Sequence, residues 1–134
     1  MKLTSKTFSD GGVIPGRCAF AVKAPKGHVR LSENRNPELT WSGAPAGTRS
    51  FALVCTDPDA PTKPDDVNKE GREVPLKLPR AKFIHWAVVD IAPTITQIEE
   101  GAASNGVTAR GKQQPGGIDG ARTALEPGEP VGVS

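Results

Sequence analysis

The segment that decides the fold is Ser50-Phe51-Ala52-Leu53-Val54-Cys55-Thr56-Asp57-Pro58-Asp59-Ala60-Pro61. Aromatic and β-branched residues fill its first half and an Asp-Pro step ends it, so residues 51–56 predict a strand rather than a helix. The two prolines at the strand exit fix φ and remove two backbone donors. We therefore expect a stiff loop that presents two carboxylates, and this is the first place to look for a site.

A second apolar segment, residues 83–91, predicts the neighbouring central strand and contains His85, one of two histidines in the chain. If the two strands pair antiparallel, Asp57 and His85 meet at one end of the sheet. The carboxylate would favour an imidazolium, which is a good partner for a phosphate-like anion. On spacing alone, however, a plain turn and a satisfied core histidine explain these residues better.

The remaining pattern predicts an all-β fold. Short extended segments at residues 18–22, 29–31 and 39–41 alternate with Gly, Pro and Asn turns, which indicates a Greek-key-like antiparallel sandwich. The central strands are nearly continuously apolar, so we expect cover on both of their faces. A short helical turn is expected within residues 94–101.

Composition limits the class of protein. A chain of 134 residues with a net charge of +2 and scattered Lys and Arg indicates one domain and no nucleic-acid partner. No segment approaches the length of a membrane span, and the first ten residues lack a signal-peptide core, so a cytoplasmic location is expected. Cys18 and Cys55 lie in apolar segments and predict buried free thiols.

Several ordered stretches, spanning roughly residues 3 to 118, add a resemblance. They are Phe8-Ser9-Asp10-Gly11-Gly12-Val13-Ile14-Pro15, Asn36-Pro37-Glu38-Leu39-Thr40-Trp41, the run from Ser50 to Pro61, the segment at 83–91, Glu100-Gly101 and the charged insertion at 65–75. Together they resemble the phosphatidylethanolamine-binding protein family in its bacterial Raf-kinase-inhibitor-like branch.

The resemblance implies a β-sandwich with a small anion pocket that binds phosphate-like head groups without catalysis, and with no catalytic residue, metal or cofactor. The ligand-binding residues that it implies are Asp57, Asp59, Pro61, His85 and Trp86. It also implies a cis Ala60–Pro61 bond and a core position for the Cys55 thiol.

The chain departs from the family after residue 118, where a further pocket loop, a histidine, tyrosines and closing strands do not follow. We therefore expect a folded domain at residues 1–118, a divergent, disordered tail at 119–134 and a sandwich incomplete at its C-terminus. Uncovered strands would promote self-association or cover by a second chain.

Two other functions stay open beside anion binding. Asp57, Asp59 and His85 could serve a hydrolase or a metal-assisted enzyme. Alternatively, the chain is a truncated product with only residual binding. A protein partner is also left open.

Overall fold

The chain was analysed as a computed structural model that describes residues 1–67, 69–109 and 117–123. The predicted all-β class is confirmed. The strands are β1 (Lys2–Thr4), β2 (Ala21–Lys23), β3 (Val29–Leu31), β4 (Leu39–Ser42), β5 (Phe51–Pro61), β6 (Arg80–Ile91), β7 (Gln97–Ile98) and β8 (Arg122–Thr123). Over these residues the only helical element is a 3₁₀ turn at Gly16–Cys18. No helix there is long or apolar enough to cross a membrane.

The strands form antiparallel sheets with the orders β1-β4-β7, β2-β3 and β5-β6-β8. The core lies between the first and the last of these sheets. Trp41 of β4 and Ile98 of β7 pack in one cluster with buried side chains of β6. The β6 members are Trp86, Val88 and Ile91. Because these core residues come from both sheets, burial of apolar surface holds the two layers together.

The central pair β5–β6 is longer than predicted. β5 continues through Pro61, which pairs with Arg80, so the connecting loop is residues 62–79 rather than 59–82. Pro61 fits there because β5 is an edge strand, where a missing N–H need not cost a ladder bond. The expected cis Ala60–Pro61 bond is wrong. No described peptide bond is cis. Ala60 and Pro61 continue an extended strand and do not make a tight turn.

Two of the predicted local elements are also wrong. The strand expected at residues 18–22 starts only at Ala21, because Pro15 and Gly16 open a turn whose carbonyls accept from the N–H groups of Cys18 and Ala19. Within residues 94–101, Gln97–Ile98 forms β7 instead of a helical turn, because it pairs with β4.

The expected cover on both faces of the central strands is wrong for the described residues. Val88 is fully buried, whereas Val54 is 53% exposed and Ile84 is also exposed. Cys18 is buried as predicted, but Cys55 is exposed rather than part of the core. Partial burial along β5 stops at Leu53 and resumes only at Asp57, because the core cluster ends at Leu53 and the strand continues past it.

β8 lies beyond the predicted domain boundary at residue 118. It pairs with β6 through Thr123 and Val88, and the N–H of Ala92 donates to the carbonyl of Gly120 at 3.1 Å. Residues 119–123 therefore contact the sheet. Residues 124–134 lie outside the described residues, so the disordered tail stays a prediction.

A buried amide links the entry of β4 to the segment after β7. The Asn36 side chain is 0% exposed, and its Nδ2 donates to the carbonyls of Pro37 and Glu99, each at 2.9 Å. Its Oδ1 accepts from the N–H groups of Ala103 at 2.8 Å and Ser104 at 3.0 Å. One side chain thus satisfies four backbone groups.

An ion pair ties the 3₁₀ turn to the segment after β7. Arg17 donates through Nε and Nη2 to the Glu100 carboxylate at 2.6 and 3.0 Å, and the Thr7 hydroxyl donates to it at 2.8 Å. The bonds from Arg17 and Thr7 lower the pKa of Glu100 to about 2. Donors that favour the ionised carboxylate cause this direction.

Replacing Glu100 by glutamine should destabilise the protein near neutral pH, with an effect that fades in acid. The folded pKa of Glu100 is about 2 and the ordinary value is 4.5, so its contribution is complete above about pH 4.5 and is lost as the pH falls towards about 2. Urea unfolding of both proteins at about pH 7 and about pH 3 measures this. Glu73→Gln in the exposed loop is the control. An equal difference at both pH values would contradict the assignment.

Candidate functional site

A bulge in β6 places His85. Cys55 pairs with Trp86 and Thr56 pairs with Ile84, so β6 uses one more residue than β5 between these pairs. His85 is that extra residue. A bulge bends the strand and redirects a side chain. Here the redirected side chain is that of His85, the predicted site histidine.

A second irregularity in β5 places Asp57. Asp57 pairs with Phe83 and Ala60 with Ala81, so β5 holds the extra residue in this interval. Pro58 has no N–H to give to the ladder. The next N–H, that of Asp59, donates instead to Oδ1 of Asp57 at 2.8 Å. The predicted stiff strand exit is therefore a proline-containing bulge that fixes one carboxylate oxygen.

The two bulges bring the predicted pair into contact. Nε2 of His85 lies 3.4 Å from Oδ2 of Asp57, and the two side chains are 19% and 38% exposed. The prediction that Asp57 and His85 meet is confirmed, but the pair lies within the β5–β6 ladder, which continues to Pro61 and Arg80, and not at its end. Because one partner is mostly buried and the other is open to solvent, the pair can be reached by a ligand from outside.

Phe83 is a neighbour of this pair that the sequence prediction missed. Its ring contacts the His85 ring edge-on, with centroids 5.0 Å apart and planes at 69°. It also lies directly opposite Asp57 in the ladder. The spacing of two residues predicts that Phe83 and His85 share a face, but Phe83 was not among the predicted ligand-binding residues. The aromatic ring forms an apolar wall beside the imidazole.

The other predicted ligand-binding residues lie around the pair at different places. Asp59 is exposed and contacts Asp57 through its backbone N–H. Pro61 is half-buried at the end of β5, opposite Arg80. Trp86 is buried in the core beside Val88. The ligand-binding role of all five residues, including Asp57 and His85, stays a prediction.

Cys55 lies two residues before Asp57, but its thiol is poorly suited to act as a nucleophile. Desolvation by neighbouring atoms raises the pKa of the Cys55 thiol, and the negative charge of Asp57 raises it further. The thiolate is the reactive form, and both causes disfavour it. In residues 1–67, 69–109 and 117–123, no group of three or more His, Cys, Asp and Glu side chains is arranged to hold a metal ion.

Comparison with known proteins shows the family. The family described as phosphatidylethanolamine-binding protein matches residues 4–126. A UPF0098 protein of Methanothermobacter thermautotrophicus is 30% identical over 133 residues, which is 99% of this chain and 70% of that protein. The UPF0098 protein YbhB of Escherichia coli K12 is 32% identical over 123 residues, which is 92% of this chain and 61% of YbhB. The chain belongs to the phosphatidylethanolamine-binding protein family.

The relatives are longer than this chain, which spans 70% and 61% of the two proteins named above. Bacterial relatives also include the UPF0098 protein YbcL of Escherichia coli K12, 40% identical over 65 residues that cover 48% of this chain and 26% of YbcL. The family and the all-β fold thus agree with the sequence resemblance.

The cytoplasmic location, a protein partner and self-association through exposed strands stay predictions.

Proposed function

We propose that this chain is a non-enzymatic binding protein that holds a small phosphate-like anion beside the Asp57–His85 pair of β5 and β6. The contact between Nε2 of His85 and Oδ2 of Asp57 carries this proposal. The imidazole ring is the group of this pair that can donate to an anion.

The contacts of Asp57 and His85 give the two residues different roles. Asp57 receives the Asp59 N–H on one oxygen and faces His85 with the other, so it orients the ring. His85 offers its ring nitrogens to the anion. Phe83 limits the movement of the ring from one side. A charge-assisted hydrogen bond to an anion is stronger at this part-buried position than in water.

The charge balance sets a condition on binding. Asp57 and Asp59 are both acidic, so their charges oppose an incoming anion. Basic residues also occur in β6. Arg80 pairs with Pro61 and Lys82 precedes Phe83, and both are exposed. The ligand that fits is therefore a small anion that reaches the imidazole ring and leaves its remaining charge towards solvent.

No contact in the described residues favours the enzyme alternative over binding. An acid–base mechanism with two carboxylates needs the second one aimed at the same reacting group. Asp59 instead contacts the site through its backbone, and its side chain is exposed. Desolvation and the charge of Asp57 raise the pKa of the Cys55 thiol, which disfavours the nucleophilic thiolate.

Replacing His85 by alanine should weaken inorganic phosphate binding by about tenfold, the size expected for one lost charge-assisted hydrogen bond. Titration of the parent and His85→Ala with phosphate, followed by ¹⁵N chemical shifts, measures the change. The perturbed amides in the parent should lie around Asp57 and Phe83.

The second histidine provides a matched control. His28 is exposed, lies in the β2–β3 turn and is paired with Glu70 of the β5–β6 loop. His28→Ala should bind phosphate as the parent does. Equal binding by the parent and both variants would remove His85 from the site, and no shift with phosphate in the parent would reject the proposed function.

A further inference from the structure

An exposed Asn-Gly step follows the segment that the Asn36 amide anchors. It consists of Asn105, whose side chain is exposed, and Gly106. In such a step the backbone nitrogen of glycine lies near the side-chain amide, and the missing Cβ leaves that nitrogen open to react. Asn34 and Asn36, the other asparagines in residues 1–67, 69–109 and 117–123, are buried, and Asn36 precedes a proline, which has no N–H. In these ranges only Asn105 combines exposure with a glycine neighbour.

Two contacts hold Gly106 in the folded chain. Its N–H donates to the carbonyl of Glu33 at 2.6 Å, and its carbonyl accepts from Nδ2 of Asn34 at 3.4 Å. The Gly106 nitrogen must lose its proton to attack the Asn105 side chain, and the Glu33 carbonyl holds that proton in the closed structure. The reaction therefore requires local opening of this segment, and its rate follows the fraction of open molecules.

We propose that Asn105-Gly106 is a site of spontaneous deamidation, with water as the co-reactant. The Gly106 nitrogen gives its proton to water or hydroxide and bonds to Cγ of Asn105, and the side-chain nitrogen leaves as ammonia. The product is a cyclic succinimide. Water then adds to one of the two succinimide carbonyls, and the ring opens to aspartate or to isoaspartate. A neutral amide thus becomes a carboxylate, which only accepts hydrogen bonds.

The isoaspartyl product changes the backbone as well as the charge. Its main chain runs through Cγ, so an additional carbon separates residues 105 and 106. The longer chain moves Gly106 from the position in which its N–H meets the Glu33 carbonyl. The neighbouring amides of Ala103 and Ser104, which donate to Oδ1 of Asn36, then lose a bond that closes the end of their segment, and they open more easily.

Peptide mapping after prolonged incubation at mildly alkaline pH locates the reaction. Trypsin places Asn34, Asn36 and Asn105 in three different peptides, at residues 31–35, 36–49 and 83–110. The mass gain from amide to carboxyl should appear first in the last of these, and a methyltransferase specific for isoaspartate should label it. In denaturing urea this peptide should convert about tenfold faster, because opening no longer limits the rate. The matched variant Asn105→Gln should show no mass gain there.

Hydrogen exchange of the deamidated fraction, separated by ion exchange, measures the effect on the fold. The N–H groups of Gly106 and Ser104 should exchange faster than in the parent. The N–H of Val88 in the core should exchange as in the parent, which shows that the change is confined to this segment.

Each part of the proposal has an outcome that overturns it. A first mass gain at Asn34 or Asn36, or no gain in the folded parent once the protein in urea has converted, would overturn the site. Equal rates with and without urea would overturn the role of the Glu33 contact. Unchanged exchange at Gly106 in the isoaspartyl product would overturn the release of the segment.

Discussion

Replacing Asn36 by alanine should lower the free energy of unfolding by about 4 kcal/mol, because it removes four hydrogen bonds, two of them from buried N–H groups. The two carbonyls lose the Nδ2 donor, and the two N–H groups lose the Oδ1 acceptor. A buried group left unsatisfied costs about 1–3 kcal/mol, so even partial access of water leaves a large loss. Because small domains are stable by only about 5–15 kcal/mol, this substitution removes much of the total.

Equilibrium unfolding in urea, followed by circular dichroism, measures this loss. Asn105→Ala is the matched control, since Asn105 is an exposed asparagine in the same segment and should change stability by less than about 0.5 kcal/mol. If Asn36→Ala unfolds like the control, the four contacts do not contribute to stability as the geometry indicates.

Replacing Trp86 by alanine should cost about 4 kcal/mol, the usual range for a large aromatic residue in a packed core. Trp86 lies in the cluster that joins β6 to β4 and β7, next to the fully buried Val88. Trp86→Phe keeps an aromatic ring and should cost about 1 kcal/mol, because less volume is removed. Urea unfolding of the two variants gives both values.

The same pair of variants tests the predicted ligand contact of Trp86. If Trp86 acts only in the core, Trp86→Phe lowers the fraction of folded protein. The folded variant then binds phosphate with the affinity of the parent. A weaker affinity in folded Trp86→Phe would place the indole at the ligand. A stability loss below about 1 kcal/mol in Trp86→Ala would contradict the core assignment.

The sequence predicted the central strands because their apolar, β-branched composition is a local property. It also predicted the meeting of Asp57 and His85, which required only antiparallel pairing across the loop. The bulges could not be predicted in the same way, because a bulge is defined by register against the partner strand. Regular alternation, assumed for β6, fails at His85.

Residues that act through distant partners were the hardest to predict. Asn36 was part of an Asn-Pro turn pattern, and nothing local indicates that its amide binds Ala103 and Ser104 more than sixty residues later. Cys55 lies in an apolar run, yet its exposure depends on where the core ends. The contact between Phe83 and His85 depends on the orientation of the imidazole ring, which is a tertiary feature.

Because His85 lies in a bulge, its side chain is not part of the cross-strand pairing that sets the register of β5 and β6. The ladder on either side closes through Trp86 and Ile84, so cross-strand pairing does not fix which side chain occupies position 85. Selection can therefore alter this side chain while the strands keep their register. Within a lineage, such a position lets the same sheet acquire new ligand preferences by single substitutions.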